Sequence, residues 1–151
     1  MIGPGELQAM SAGAGIRHSE FNASNTERVH LLQIWIEPRE AGLTPRYDQR
    51  TFDSAARRDA WQLLASPDGR DDSMPIEQDA MMLVAELGAG SRVTRSIDAG
   101  RFGYLHVATG RVAVDGVSLE PGDALKMAGP AELAIAVGPG EASQVMLFDL
   151  G

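Results

Sequence analysis

The sequence predicts an almost entirely β protein, built as a sandwich or barrel of short strands. The first observation is a series of short apolar segments that are separated by glycine turns. The second is the dipeptide Asp115-Gly116 between two apolar triplets, which is typical of the tight type I′ turn of a β-hairpin. The third is Pro121-Gly122, which has the residue order of a type II turn. Short strands joined by such turns favour a sandwich or a barrel.

The N-terminal part of the chain predicts three strands and a connector. We expect strands over residues 6–11, 15–21 and 29–37, with the polar, loop-forming residues 22–26 between the last two. Residues 38–45 contain two prolines and a glycine, which interrupt regular structure. We therefore place a domain boundary in this connector.

The rest of the chain begins with a short helix, predicted over residues 54–64, and a polar loop over residues 66–73. Closely spaced strands follow, over residues 79–87, 91–97, 102–109, 111–114, 117–119, 124–127, 132–137 and 144–148. The predicted domains are therefore residues 1–37, a connector over 38–45, and a complete small domain over 46–151.

Composition restricts the partners and the compartment. A net charge of −8 disfavours nucleic acid as a direct partner, because phosphate binding needs a basic surface. No apolar run approaches the roughly 20 residues of a membrane span, and residues 1–14 lack the pattern of an export signal, so we expect a cytoplasmic protein. The absence of cysteine leaves imidazole and carboxylate as the strong metal ligands.

A candidate metal-binding pair lies in the second predicted strand. His18 and Glu20 are two residues apart, so on a strand both side chains point to one face, and both suit a first-row transition metal. We call them the His–Glu pair. His30 stays open: we favour a packed structural histidine, but an inward-facing one would complete a three-ligand set. His106, on the strand predicted over 102–109, is interpreted as a core or strand-edge histidine.

Several segments resemble the pirin family of two-domain cupins. The run over residues 2–21 and the following 31–36 carry the resemblance, and residues 44–47 and 147–150 fit the same pattern. Residues 107–125 resemble the second half of a cupin barrel. The resemblance implies a cupin-type β-barrel, the double-stranded β-helix, preceded by strands left from a second, incomplete cupin. It covers only the C-terminal part of a full-length pirin, so we expect a truncated gene product, a mis-called start or a naturally shortened relative.

The resemblance also implies a metal site. In pirins the metal lies in the N-terminal barrel and is held by a His-x-His pair and a downstream His-x-Glu pair. His18 and Glu20 match the third and fourth ligands, while the first two have no counterpart in this chain. The implied cofactor is a divalent transition metal (iron, nickel, copper or zinc), or none if the site stays incomplete. The second pirin barrel is usually metal-free.

Three functions remain open at this point. The resemblance implies a metal-dependent dioxygenase acting on flavonols such as quercetin, a small aromatic substrate, in which Glu20 would be a ligand and would accept the substrate hydroxyl proton. This function needs the missing ligands from another chain. The second is a non-catalytic interaction module with a protein partner, like a transcription cofactor. The third is a remnant that keeps the fold without either activity.

An incomplete barrel should leave an apolar face uncovered. Leu31, Ile34 and Trp35 would be exposed in a monomer, which is unfavourable in water. We therefore expect a homodimer that covers residues 1–37, or a fold-back onto the C-terminal barrel. A dimer would also bring two His–Glu pairs together across a two-fold axis.

Overall fold

A computed structural model describes residues 2–151 and confirms the all-β class. The strands are β1 (Glu6–Ser11), β2 (Arg46–Thr51), β3 (Gln62–Ser66), β4 (Met74–Pro75), β5 (Ala80–Leu87), β6 (Arg92–Ile97), β7 (Phe102–Thr109), β8 (Val112–Val114), β9 (Val117–Leu119), β10 (Ala124–Ala128), β11 (Ala131–Ala136) and β12 (Ser143–Leu150). Two short 3₁₀ turns cover Ser54–Arg57 and Arg70–Asp72. Among these residues, no helix has the length and apolar character that crossing a membrane requires.

Two sheets form the body of the molecule, which we call the C-terminal barrel (strands β3 to β12). One sheet has six strands in the order β10-β7-β12-β5-β3-β4, and the other has four in the order β6-β11-β8-β9. Leu105 and Leu147 of the first sheet pack in one cluster with Leu133 and Ile135 of the second, and each is at most 2% exposed. Alternating side chains from both sheets therefore share a dry core.

The first two strands form a separate antiparallel pair, the β1–β2 ribbon. Leu7 of the ribbon and the adjacent Phe52 pack against a second apolar cluster, which includes Met82, Met146 and Phe148. These barrel residues have the opposite parity to the core residues of β5 and β12, so they face outward from the six-stranded sheet. The ribbon is therefore held on the outer face of that sheet.

The two turns that predicted the fold class have the expected conformations. Asp115 and Gly116 have φ values of 49° and 82°, and positive values at both central positions define a type I′ turn. Gly122 has a φ of 91°, and the Asp123 amide donates to the Glu120 carbonyl over 2.9 Å. A positive φ at the third residue is what a type II turn requires.

The helix predicted over residues 54–64 is wrong. Only the 3₁₀ turn Ser54–Arg57 forms, and Asp59 has a φ of 51°, which no right-handed helix allows. The following residues form β3, whose Leu64 and Ala65 are buried on the outer face of the sheet. Burial against neighbouring strands therefore overrides the local preference for a helix.

The strands predicted over residues 15–21 and 29–37 are also wrong, because both segments are irregular and mostly exposed. Neither pairs with another strand among residues 2–151, so their amides and carbonyls lack the regular hydrogen bonds of a sheet. The polar segment Arg46–Thr51 does form a strand, which sequence analysis missed. Its pairing with β1 joins the two sides of the predicted connector.

Candidate functional site

The His–Glu pair lies in a loop that leaves the end of β1 and returns to the start of β2. We call residues 12–45 the long loop. Its two ends are in close contact, because a Cβ on Gly13 would overlap the Leu43 carbonyl oxygen and lie 2.9 Å from the Pro45 ring. Only glycine fits at that point, where its φ is also positive at 52°. The sequence thus fixes where the loop closes.

Two arginines on one face of β2 anchor the ribbon, and therefore the base of the long loop, to the C-terminal barrel. Arg46 Nη2 donates to the Pro75 carbonyl over 2.8 Å. Arg50 Nη1 donates to the carbonyls of Asp72 and Ser73 over 2.6 and 3.2 Å. Sequence analysis missed both contacts, although the four-residue spacing places both arginines on one face of any strand formed there.

The ribbon is closed by a carboxylate at its other end. Glu6 accepts hydrogen bonds from the Gly3 amide over 2.6 Å, the Thr51 hydroxyl over 2.8 Å and the Gln49 side-chain amide over 2.8 Å. These donors, the Gly3 amide above all, lower the pKa of Glu6 below its ordinary value of 4.5. Ionised Glu6 therefore links β1 to β2.

The two candidate ligands meet even though their segment is irregular. His18 Nδ1 and Glu20 Oε1 are 3.7 Å apart, and the side chains are 35% and 36% exposed. Metal bonds to imidazole nitrogen and carboxylate oxygen are each about 2.1 Å long, so two ligands of one ion lie at most about 4.2 Å apart. At that bond length a separation of 3.7 Å corresponds to an angle of about 124° at the metal, so both atoms can reach one divalent ion, although they are farther apart than two tetrahedral ligands, which are about 3.4 Å apart.

The pair has no further protein ligands nearby. Among residues 2–151, no group of three or more His, Cys, Asp or Glu side chains is arranged to hold a metal. His30 is exposed, so neither the packed nor the inward-facing position considered for it is observed. His106 is half-buried on β7, opposite Ala124 and Met146, at a position typical of a structural histidine. Residues 18 and 20 are thus two candidate ligands without a third His, Cys, Asp or Glu beside them in the described part of the chain.

Several large apolar side chains of the long loop are exposed. Phe21 is 84% and Trp35 is 87% exposed, and Leu31 and Ile34 are 49% and 36% exposed. The long loop therefore does not fold back over the barrel to bury them. So many large exposed apolar side chains on one loop are uncommon on a free monomer and are typical of a segment that contacts another chain.

Two family descriptions match this chain. "Quercetinase C-terminal cupin domain" matches residues 63–150, and "Pirin" matches residues 1–36. Quercetin 2,3-dioxygenase of Escherichia coli K12 is 44% identical over 146 residues, which are 97% of this chain and 61% of that protein. A pirin-like protein of Caulobacter vibrioides is 42% identical over 79% of this chain and 51% of its own length. The chain thus spans less than two thirds of these relatives.

The backbone is also similar to solved pirin structures over less than two thirds of their length. The crystal structure of YhhW from Escherichia coli is 42% identical and superposes with a TM-score of 0.90 over 99% of this chain and 62% of that one. The structure of bacterial pirin YhhW with nickel(II) superposes with a TM-score of 0.85 over 97% of this chain and 61% of that one. At such coverage the superposition includes the long loop, which therefore follows the path it has in a longer protein.

Proposed function

The chain belongs to the pirin family of cupins, and on that premise we propose that His18 and Glu20 are half of a divalent-metal site of the quercetin 2,3-dioxygenase type. The observation that carries the proposal is the 3.7 Å separation of the two ligand atoms on an open, partly exposed loop. The similarity to a quercetin 2,3-dioxygenase and to a pirin solved with nickel(II) supports a divalent metal. Iron, nickel, copper and zinc all accept imidazole nitrogen and carboxylate oxygen.

Each residue of the pair has a distinct role in this proposal. Neutral His18 donates a nitrogen lone pair through its imidazole ring, and Glu20 provides a negatively charged oxygen. Glu20 also has a second carboxylate oxygen, which can accept a proton from the hydroxyl of a flavonol-like substrate. A metal bound there would act as a Lewis acid that orients the substrate oxygens.

A cytoplasmic location also remains a prediction from the sequence.

We propose that a second copy of this chain supplies the missing ligands. Two His–Glu pairs related by a two-fold axis would give two imidazoles and two carboxylates around one ion. We expect the same contact to cover Phe21 and Trp35, which are exposed in the long loop. A small aromatic substrate would then bind where the two copies meet. The expected stoichiometry is one metal for two chains.

A direct test of the half-site uses an ion that already carries two ligands. Nickel(II) with one bound 2,2′-bipyridine has two nitrogen ligands and leaves adjacent positions open. We expect the protein to bind this complex, and His18→Ala to abolish binding. The matched control is His30→Ala, which leaves binding unchanged because His30 is exposed and apart from the pair. Equal binding by wild type and His18→Ala would refute the half-site, whatever the oligomeric state.

Catalysis is tested separately with quercetin and the dimer loaded with each metal in turn. The proposal expects oxygen consumption only in a metal-loaded dimer. Glu20→Gln should lower turnover more than Glu27→Gln, a matched change elsewhere in the long loop. Turnover that persists in Glu20→Gln would remove the proton-accepting role of Glu20. Turnover by a metal-free monomer would contradict the proposed site.

A second candidate function, a non-catalytic interaction module, is favoured by the exposure of Phe21 and Trp35. Large aromatic side chains commonly anchor protein interfaces. The two functions differ in their requirement for metal. Binding of a purified protein partner that survives EDTA and His18→Ala, but is lost in a Phe21→Ser/Trp35→Ser variant, would support the module. Loss of the same binding in His18→Ala would favour the metal site.

A further inference from the structure

A groove opens on the outer face of the six-stranded sheet, beside its edge strand β10. Its volume is about 500 Å³, which is within the range of about 300–1,000 Å³ typical of small-molecule sites. Strand β7 contributes Phe102 and Tyr104, β10 contributes Lys126 and Ala128, and β12 contributes Leu150. We call it the edge groove. It belongs to the C-terminal barrel and contains neither residue of the His–Glu pair.

The register of three neighbouring strands explains why the groove exists. Phe102 lies between Ala128 of β10 and Leu150 of β12, and Tyr104 lies between Lys126 and Phe148 in the next row. Side chains two residues apart on a strand project from the same face, so these two rows form one surface. Ala128 is the smallest member of either row. Its short side chain leaves a depression beside Phe102.

The walls of the groove suit a flat aromatic ring. Phe102 is 56% exposed, although it is a large apolar side chain. Tyr104 is half-buried, and its ring contacts Phe148 with centroids 6.1 Å apart and planes at 54°. That contact fixes the Tyr104 ring against the sheet. Two aromatic rings on one face bind another ring by offset or edge-to-face contact.

An unpaired cation lies at the side of the same groove. Lys126 is the only lysine in the sequence, and it is exposed. Its ammonium has no carboxylate within 4.0 Å among residues 2–151, whereas Arg101, which precedes β7, is paired with Asp149 and Asp79. The Tyr104 hydroxyl likewise makes no hydrogen bond within the described chain. Both groups can therefore bind an anionic group of a ligand.

We propose that the edge groove binds a small planar aromatic carboxylate. The ring would lie against Phe102 and Tyr104, and the carboxylate would accept a hydrogen bond from the Lys126 ammonium. A carboxylate fits better than a phenol because it is ionised at neutral pH, whereas a phenol has an ordinary pKa near 10. No acidic side chain lines the groove among residues 2–151, so Lys126 is the only charged side chain in its lining.

The test uses 2-naphthoate as the probe and the single lysine as the reporter. Reductive methylation with ¹³C-formaldehyde keeps the charge on Lys126 and labels one side chain in addition to the N-terminal amine. We expect the Lys126 methyl signal to shift and saturate with a Kd in the millimolar range, the affinity that about twelve heavy atoms allow. The signal of the N-terminal amine should not move. The uncharged analogue 2-naphthamide should bind about tenfold more weakly, the effect of losing one charge-assisted hydrogen bond.

Two variants separate the groove from other apolar surfaces, with naphthoate binding followed by its own ligand-observed NMR signals. Phe102→Ala and Lys126→Met should each weaken binding about tenfold, and neither change removes a buried side chain. A Phe21→Ser/Trp35→Ser variant should bind as wild type does, because those residues lie in the long loop. Arg92→Met, which removes an exposed cation from β6, is the matched control for charge and should have no effect.

Three results would overturn the proposal. The first is a Lys126 signal that does not saturate with naphthoate. The second is equal affinity for naphthoate and naphthamide, which would show that the cation plays no part. The third is a Lys126 signal that responds to protein concentration and not to naphthoate, which would make the groove a contact between copies of the chain. None of these results bears on the His–Glu pair, so the proposed function is tested independently of the edge groove.

Discussion

The C-terminal barrel and the long loop contain similar apolar segments, yet the barrel buries its segments in a sheet and the loop leaves its own exposed. Residues 143–150 form β12 between two neighbouring strands, and Val145 and Leu147 are fully buried. Residues 29–36 are even richer in branched and aromatic side chains, but they are irregular and Trp35 is 87% exposed. A strand needs hydrogen-bonding neighbours and a face to bury, and local propensity does not replace them. The comparison shows that the barrel buries its apolar segments between paired strands, whereas the long loop leaves its own exposed.

The largest contrast should appear when the same leucine-to-alanine change is made in both regions. Leu147→Ala removes a fully buried side chain from the core and should lower the free energy of unfolding by about 3–5 kcal/mol. Leu31→Ala changes a side chain that is 49% exposed and should cost no more than about 0.5 kcal/mol. Urea denaturation of both variants and the wild type measures the difference. Similar losses would mean that the loop is buried in solution.

A second contrast compares a buried ion pair with an exposed one. Asp149 is 3% exposed, and it accepts a hydrogen bond of 2.5 Å from Arg101 Nε while lying 3.8 Å from Arg95 Nη2. Asp149→Asn should cost about 2–3 kcal/mol, because it leaves two guanidinium groups without their shared anion. Asp48→Asn breaks a 3.7 Å pair with Arg50 at 37% exposure, and should cost less than about 1 kcal/mol. Thermal unfolding of both variants checks this ranking.

Acid should weaken the β1–β2 ribbon, because protonation of Glu6 removes the charged acceptor that links its two strands. The pKa of Glu6 is lower in the folded chain than its ordinary 4.5. Its contribution to the ribbon is therefore fully present above pH 4.5 and is lost as pH falls through the folded-state value. Hydrogen-exchange protection of the β1 amides should fall over this range. In Glu6→Gln the protection should be lower than in wild type and independent of pH over this range. If the variant keeps the pH dependence of wild type, another group causes the effect.

The smallest stability effect is expected at the His–Glu pair itself. His18→Ala should change the free energy of unfolding by no more than about 0.5 kcal/mol, because the side chain is 35% exposed and contacts Glu20 alone among the described charged groups. His106→Ala, on the half-buried face of β7, should cost about 1 kcal/mol. A large loss in His18→Ala would show that the imidazole supports the fold, and would weaken its assignment as a metal ligand.

The sequence predicts the barrel well because its strands are delimited by local signals. The strands over residues 102–109 and 117–119 form with the predicted bounds, and glycine or proline marks their turns. The strand Arg46–Thr51 was missed because its residues are polar, and its stability depends on β1 and on backbone acceptors far along the chain. Family membership and the cupin fold are confirmed, whereas the domain boundaries remain predictions.

The two candidate sites also differ in whether a local sequence signal or a distant contact defines them. The His-x-Glu spacing indicates the pair through an expected strand; that strand is absent, yet the two side chains still lie 3.7 Å apart. Their roles as ligands, and the homodimer that would complete the site, remain proposals. The edge groove has no sequence signal, because Tyr104 and Lys126 become neighbours only through the register of β7 and β10. Contacts set by cross-strand register cannot be read from spacing along one strand.

The central claim is that this chain carries half of a metal site and that a second copy completes it. Native mass spectrometry of the chain with nickel(II) measures metal content and assembly in the same ion. The expected result is a dimer with one nickel ion, which EDTA dissociates and His18→Ala prevents, while His30→Ala leaves it intact. A folded monomer without nickel would contradict completion by a second copy. Nickel retained by His18→Ala would contradict the half-site itself.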